Sequence, residues 1–219
     1  MSQASIKNKK LMTVEEYLRF EERSKYKHEY IDGETIRLHD SGKDAQMAGN
    51  RVSHIFIVSN LCFYLRLALQ KNGKPCQVGT TEMRVLLRAN HYAYPDVFAV
   101  CGEFALVPNI FDTLENPVVI FEVLSKSTEI RDRGDKAVDY RNLASLTDYI
   151  LVSQNKMRVE QQTRQEDGTW KIFVFEKPED KIFFASLGCG IIVAEIYENI
   201  KFPPQPHLKL VESKKKNGK

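Results

Sequence analysis

Two short apolar runs in the middle of the chain, Val97 to Val100 and Pro117 to Leu124, are rich in β-branched and aromatic residues and lack helical spacing. That pattern predicts buried strands. Upstream, Val14, Tyr17 and Leu18 gather on one face of a stretch from Val14 to Arg23, and Thr13 with Glu16 supplies a capping box to open a short helix there. His28 to Ile31 and Thr35 to His39 flank Asp32-Gly33, the pattern of a tight hairpin. The polar segment Asp40 to Gly49 reads as loop. With Asn50 as cap and Asn72-Gly73 as stop, Arg51 to Lys71 is the longest predicted helix. Its residues Ile55, Phe56, Val58, Leu61, Cys62, Leu65 and Leu69 form a broad apolar face suited to a sheet.

Further along, Cys76 to Thr80 and Glu82 to Leu87 read as strands and Arg88 to His91 as a turn. Gly102 to Asn116 reads as loop with a helical turn around Phe104 to Val107. A helix is predicted over Arg131 to Ala144, then strands over Leu146 to Ser153, Arg158 to Thr163, Trp170 to Phe175 and Lys181 to Phe184. Ile191 to Tyr197 closes the ordered part. This order predicts an α/β (α+β) fold with a mixed central β-sheet flanked by helices. One domain, residues 12–200, is expected between a disordered basic tail (1–11) and a Pro/Lys-rich tail (201–219).

Composition narrows the function classes. At 219 residues with a formal net charge of +3, the chain is an ordinary globular one, and that charge alone does not argue for nucleic acid. No unbroken apolar run reaches the ~18–20 residues of a membrane span, and Met1 to Lys10 lacks the apolar segment of a secretory signal. A cytoplasmic protein with no membrane partner is expected. Cys62, Cys76, Cys101 and Cys189 form no Cys-x-x-Cys pair, so buried free thiols are expected rather than zinc ligands or disulfides. Lys7, Lys9 and Lys10, and Lys214 to Lys216 with Lys219, read as solvated tails able to brush against phosphates.

The chemistry concentrates between Tyr94 and Tyr149. Asp96 opens the first central strand and Glu122 sits inside the second. A carboxylate within Val118-Val119-Ile120-Phe121-Glu122-Val123-Leu124 is costly to bury unless something pairs with it, and a metal ion is the best partner. If Asp96 projects to the same side as Glu122, two hard oxygen ligands converge, which suits Mg²⁺ or Mn²⁺. Asp132, Lys136 and Tyr140 fall on one helical stripe. There the pair Asp132–Lys136 is either an exposed ion pair worth a few tenths of a kcal/mol, or Lys136 aims at a scissile phosphate or an attacking water. His54, in the first turn of the long helix, is either a satisfied histidine or a group leaning into the same site.

The motifs Tyr94-Pro95-Asp96, Phe121-Glu122-Val123-Leu124-Ser125-x-Ser127-Thr128, Asp132-Arg133-x-x-Lys136 and Tyr149-x-Leu151-Val152 together resemble the Uma2-type, restriction-endonuclease-like family of bacterial endonucleases in the PD-(D/E)xK nuclease superfamily. Met12-Thr13-x-Glu15-Glu16-Tyr17, Tyr30-x-Asp32-Gly33-Glu34 and the helix carrying His54 extend the likeness from about Met12 to Tyr197. The resemblance implies a restriction-endonuclease-like core and a DNA phosphodiesterase using Mg²⁺ (or Mn²⁺). Asp96, Glu122 and the Val123 carbonyl would be its metal ligands, and Asp96, Glu122, Lys136 and His54 its catalytic set. A homodimer is expected by analogy, because two related sites suit the two strands of a duplex. The chain departs from the superfamily at Leu124, where the lysine should stand, and Lys136 is the natural substitute. Glu82 stands where related chains carry an aspartate. The alternative class is a nuclease-fold module that binds nucleic acid or a protein without cutting.

Overall fold

A computed structural model describes residues 11–38, 45–110, 112–125 and 128–202, with side chains of the long helix described from Val52 onward. The basic ends, together with His39 and the first part of the expected Asp40–Gly49 loop, lie outside the described residues.

Helix α1 (Val14–Arg23) opens on the expected capping box: Thr13 Oγ1 accepts the Glu16 N–H, and the Glu16 carboxylate accepts the Thr13 N–H. Strands β1 (His28–Ile31) and β2 (Glu34–Arg37) form the hairpin. Asp32 and Gly33 both take positive φ, 47° and 96°, as a tight turn matched to strand twist requires. Helix α2 (Ala45–Asn72) begins earlier than expected, so Asn50 lies inside it rather than capping it. Ala45 to Ala48 are good helix formers, and the single Gly49 costs only about 1 kcal/mol in so long a helix. It stops at Gly73, whose φ is 67° and whose N–H returns to the Leu69 carbonyl. Ile57, Leu61, Leu65 and Leu69 are buried along one face. As a helix, Val52–Asn72 is apolar and long enough to meet the measure of a membrane span, with a mean hydropathy of 1.6, a property that the search for unbroken apolar runs missed.

Strands β3 (Cys76–Thr80), β4 (Arg84–Arg88), β5 (His91–Ala93) and β6 (Val97–Cys101) follow, so part of the expected turn at Arg88–His91 is strand. Within the expected loop lies β7 (Thr113–Leu114), paired with β4. Strand β8 (Val119–Leu124) is buried along its whole length. The helix expected over Arg131–Ala144 is two helices, α3 (Glu129–Arg133) and α4 (Asp135–Asn142), divided at Gly134. There φ −98° and ψ −118° leave the helical region, and a Cβ would stand 3.0 Å from the Ile130 carbonyl. Strands β9 (Asp148–Ser153), β10 (Val159–Arg164), β11 (Trp170–Phe175), β12 (Lys181–Phe184) and β13 (Cys189–Ile192) lead to α5 (Val193–Ile196), so the last expected element is half strand and half helical turn.

The central sheet has the order β11-β10-β9-β8-β6-β3 and is mixed, with β8 and β9 parallel and the other pairs antiparallel. A parallel pair needs a crossover, which α3 and α4 supply. A second sheet, β2-β1-β5-β4-β7, packs beside it, and β12 with β13 forms a separate hairpin. Alternation along β8 divides the core. Val119, Phe121 and Val123 join α2, α5 and the β12–β13 hairpin on one face, while Ile120 and Leu124 join α4 and the second sheet on the other. The cysteine expectation needs correction: Cys76 and Cys101 face each other across β3 and β6 and form a disulfide, while Cys62 and Cys189 are free. Their partnership is a matter of strand register, which spacing along the chain does not reveal.

Candidate active site

The β6–β8 register assembles the site. Val97 lies opposite Phe121 and Phe98 opposite Ile120. Pro95 and Asp96 lie just before β6, outside this ladder, and Asp96 turns to the main chain of β8. The charge of Asp96 acts on Glu122, so the two carboxyl groups belong to one cluster. Asp96 Oδ2 accepts the Val123 N–H at 2.7 Å, and His54 Nε2 lies 3.1 Å from Asp96 Oδ1.

Lys136 reaches in from the first turns of α4. Its Nζ lies 2.8 Å from Glu122 Oε1, 2.8 Å from Glu29 Oε1 and 3.4 Å from Asp132 Oδ1. The reading of Asp132–Lys136 as an exposed ion pair is therefore excluded: the lysine side chain is 3% exposed. Glu29 comes from β1 of the second sheet and also pairs with Arg131, and the Tyr94 N–H points at its Oε1 from 3.4 Å. The aromatic walls are Tyr140, whose ring centre is 5.8 Å from Lys136 Nζ, and Tyr149, whose hydroxyl donates to the Asp132 carbonyl.

Electrostatics differ sharply between the two acids. Burial raises the Glu122 carboxyl well above the ordinary range, because Lys136 only partly offsets the cost of desolvation and Asp132, Asp96 and Glu29 add repulsion. Burial also works against ionising Asp96, yet His54, the Val123 N–H and Lys136 together hold it below the ordinary value. Desolvation would lower His54, but the Asp96 charge and hydrogen bond outweigh it and raise the imidazole pKa. Lys136 is likewise held well above its usual value, since Glu122, Glu29 and Asp132 overcome burial. Four buried carboxylates (Asp96, Glu122, Glu29, Asp132) thus face two permanent cations, Lys136 and Arg131, and a third when His54 is protonated. Glu122 Oε1 and Asp132 Oδ1 are buried without a hydrogen bond of good geometry, although the Lys136 ammonium is near both.

The structure therefore brings Asp96, Glu122, Val123, Lys136 and His54 together. Leu124 packs in the apolar core and Lys136 stands beside Glu122 instead. Glu82 pairs with Lys27 on the surface and is 85% exposed, outside this cluster. Sequence reasoning missed Glu29. The argument that singled out Glu122, an acid inside a buried run, applies to it as well, but His28-Glu29-Tyr30-Ile31 is too short and too polar to announce burial. Among the described residues no three His, Cys, Asp or Glu side chains converge as a metal-binding group. Two surface hollows lie along α1 at Glu16, Arg19 and Phe20, and beside α2 at Arg66, Gln70 and Lys74.

Comparison with known proteins follows the same lines. The family model of Uma2, described as "Putative restriction endonuclease", matches residues 14–191. Two proteins of Synechocystis sp. (strain ATCC 27184 / PCC 6803 / Kazusa) are similar. The one named Uncharacterized protein slr1290 is 31% identical over 192 residues, covering 87% of this chain and 94% of that one. The one named Uncharacterized protein sll1609 is 31% identical over 162 residues, covering 74% and 85%. A crystal structure from Anabaena variabilis ATCC 29413, titled as a "putative nuclease belonging to DUF820", superposes with a TM-score of 0.64 over 85% of this chain and 97% of that one. At 16% identity that likeness shows a shared fold.

Proposed function

The chain belongs to the Uma2 family, and from that premise we propose that it is a metal-dependent endonuclease hydrolysing phosphodiester bonds of DNA. The observation that carries the reading is the gathering of Asp96, at the Val123 N–H, and Glu122, at Lys136, in a cluster with more buried carboxyl groups than cations. A metal fits this donor set. All the donors are hard oxygens, a dication would offset the surplus negative charge, and Glu122 Oε1 is a buried acceptor short of a well-formed hydrogen bond. Asp96, Glu122 and the Val123 carbonyl would hold Mg²⁺ or Mn²⁺, with water and phosphate oxygens completing the shell. When bound, such an ion polarises the phosphodiester and lowers the pKa of a bound water.

The chain's own residues do the rest. Lys136 brings a full positive charge to the position that Leu124 leaves apolar, and there it stabilises the negative charge that develops on the phosphoryl oxygens. Its carboxylate neighbours keep it protonated throughout the neutral range. His54, held by Asp96 at 3.1 Å, contacts phosphate from the α2 side. Burial of the cluster excludes bulk water and strengthens each of these interactions.

The test is cleavage of supercoiled plasmid with Mg²⁺ or Mn²⁺ by the native chain, Asp96→Asn and Lys136→Ala. Native nicking or linearisation should fall by about 10²-fold or more in both variants. Cleavage that persists in both refutes the assignment. Mn²⁺ binding without cleavage of any DNA points to the non-cutting module.

A further inference from the structure

Lys136 occupies a position that the metal reading leaves it no room to keep. Its ammonium is the nearest cation to Glu122 Oε1, at 2.8 Å, and Glu122 is one of the two side chains proposed to hold the metal. Two cations on one buried carboxylate repel strongly where the dielectric is low. The lysine is closed off from solvent, with its side chain 3% exposed and Tyr140 beside it. A second anionic seat is nevertheless in place. Glu29 Oε1 is also 2.8 Å from Nζ, Asp132 Oδ1 is 3.4 Å away, and both side chains are buried. Arg131 takes the other oxygen of Glu29 and so fixes which one faces the lysine. Asp132 is fixed from behind by Tyr149, which donates to its main-chain carbonyl.

We propose that Glu29 and Asp132 form a holding seat for the Lys136 ammonium, to which it withdraws when a divalent cation takes Glu122. In the metal-free protein Lys136 is the counter-ion of Glu122. In the loaded protein Glu29 and Asp132 carry it, still charged and within a side-chain swing of the site. Glu29 is thus a positioning residue acting through Lys136, and it explains why a strand of the second sheet delivers a carboxylate to this cluster. This inference rests on the metal reading above.

Mn²⁺ affinity, measured by electron paramagnetic resonance on the full chain without DNA, separates the two. Glu29→Gln removes the better half of the seat, leaves Lys136 on Glu122, and should weaken Mn²⁺ binding by about tenfold or more. With Lys136→Met as background there is no ammonium to relocate, and adding Glu29→Gln should change affinity by only a small part of that factor. Asp132→Asn should act in the same sense but less, in line with its longer distance. Glu29→Asp keeps the charge and controls for folding, since it should retain most of the native affinity. Equal weakening by Glu29→Gln in both backgrounds would make Glu29 a bystander charge and overturn the proposal. Failure of the native chain to bind Mn²⁺ at all would overturn the metal reading itself, and this inference with it.

Discussion

Substituting Glu122 by glutamine should stabilise the protein in the absence of metal while removing one of the two carboxylates proposed to hold an ion. In the native chain the Glu122–Lys136 contact at 2.8 Å is worth roughly 6 kcal/mol of attraction at an effective dielectric constant of 20. Against it stand the desolvation of a fully buried carboxylate, several kcal/mol per ion, and repulsion from Asp132, Asp96 and Glu29. The second group wins, which is why the Glu122 carboxyl sits well above its ordinary range. Neutralising it leaves three carboxylates facing Lys136, Arg131 and His54, and Lys136 keeps Glu29 at 2.8 Å. A net gain of about 2 kcal/mol follows for such a buried, poorly compensated charge, or roughly 4–8 °C in Tm for a domain of this size.

The pH dependence fixes the sign. An acid whose folded pKa is raised contributes its stability fully below the unfolded value, about 4.3 for glutamate, and loses it as pH rises through the folded value. Thermal melts in EDTA should therefore show Glu122→Gln near native stability at pH 5 and clearly above it at pH 8. A variant less stable than the native chain at pH 8, or a difference that is the same at both pH values, would refute the charge ledger of the cluster.

Replacing Cys76 and Cys101 together by serine opens a disulfide spanning 25 residues, which by loop entropy is worth about 3.5 kcal/mol, or roughly 7–14 °C in Tm. The same fall should appear when the native chain is melted in reductant, and identical melts with and without reductant would show that the bond contributes nothing. Asp96→Asn removes one of the two carboxylates proposed to hold the ion and should weaken Mn²⁺ binding by about tenfold or more, since even a neighbour of a metal ligand is worth that much. Unchanged affinity would remove Asp96 from the ligand set.

Local signals in the sequence place elements well where they are self-sufficient. The box of Thr13 and Glu16 sets the start of α1, and the bounds of β11 and β12 follow from their apolar patterning between turn residues. They fail where a long-range partner decides. Apolar patterning cannot show that Ala45 to Gly49 belong to α2, because those residues lack the amphipathic face that marks the rest of the helix. Gly134 reads as a tolerable helix residue until its ψ of −118° splits α3 from α4. The Cys76–Cys101 bond is invisible until β3 pairs with β6. At the site, Asp96 and Glu122 are readable because each is an acid set against an apolar strand. Glu29 is not, because its burial is created by the docking of one sheet on another.

That docking also explains why the second sheet is there. Strand β1 could end in any polar residue if it served only as an edge of β2-β1-β5-β4-β7. Instead it delivers Glu29, with no exposed side-chain surface, to the ammonium that α4 delivers from the other side. An unpaired acid there would cost several kcal/mol, so Glu29, Arg131 and Lys136 must be placed together or not at all. The same holds around Arg88, a residue of β4, which reaches both Asp32 in the hairpin turn and Asp139 on α4. Charged contacts thus run from the small sheet to α3 and α4 at several points, and the position of Lys136 depends on how that sheet sits. A change in the small sheet should therefore reach the cluster both through Lys136 and through the direct charge of Glu29 on Glu122.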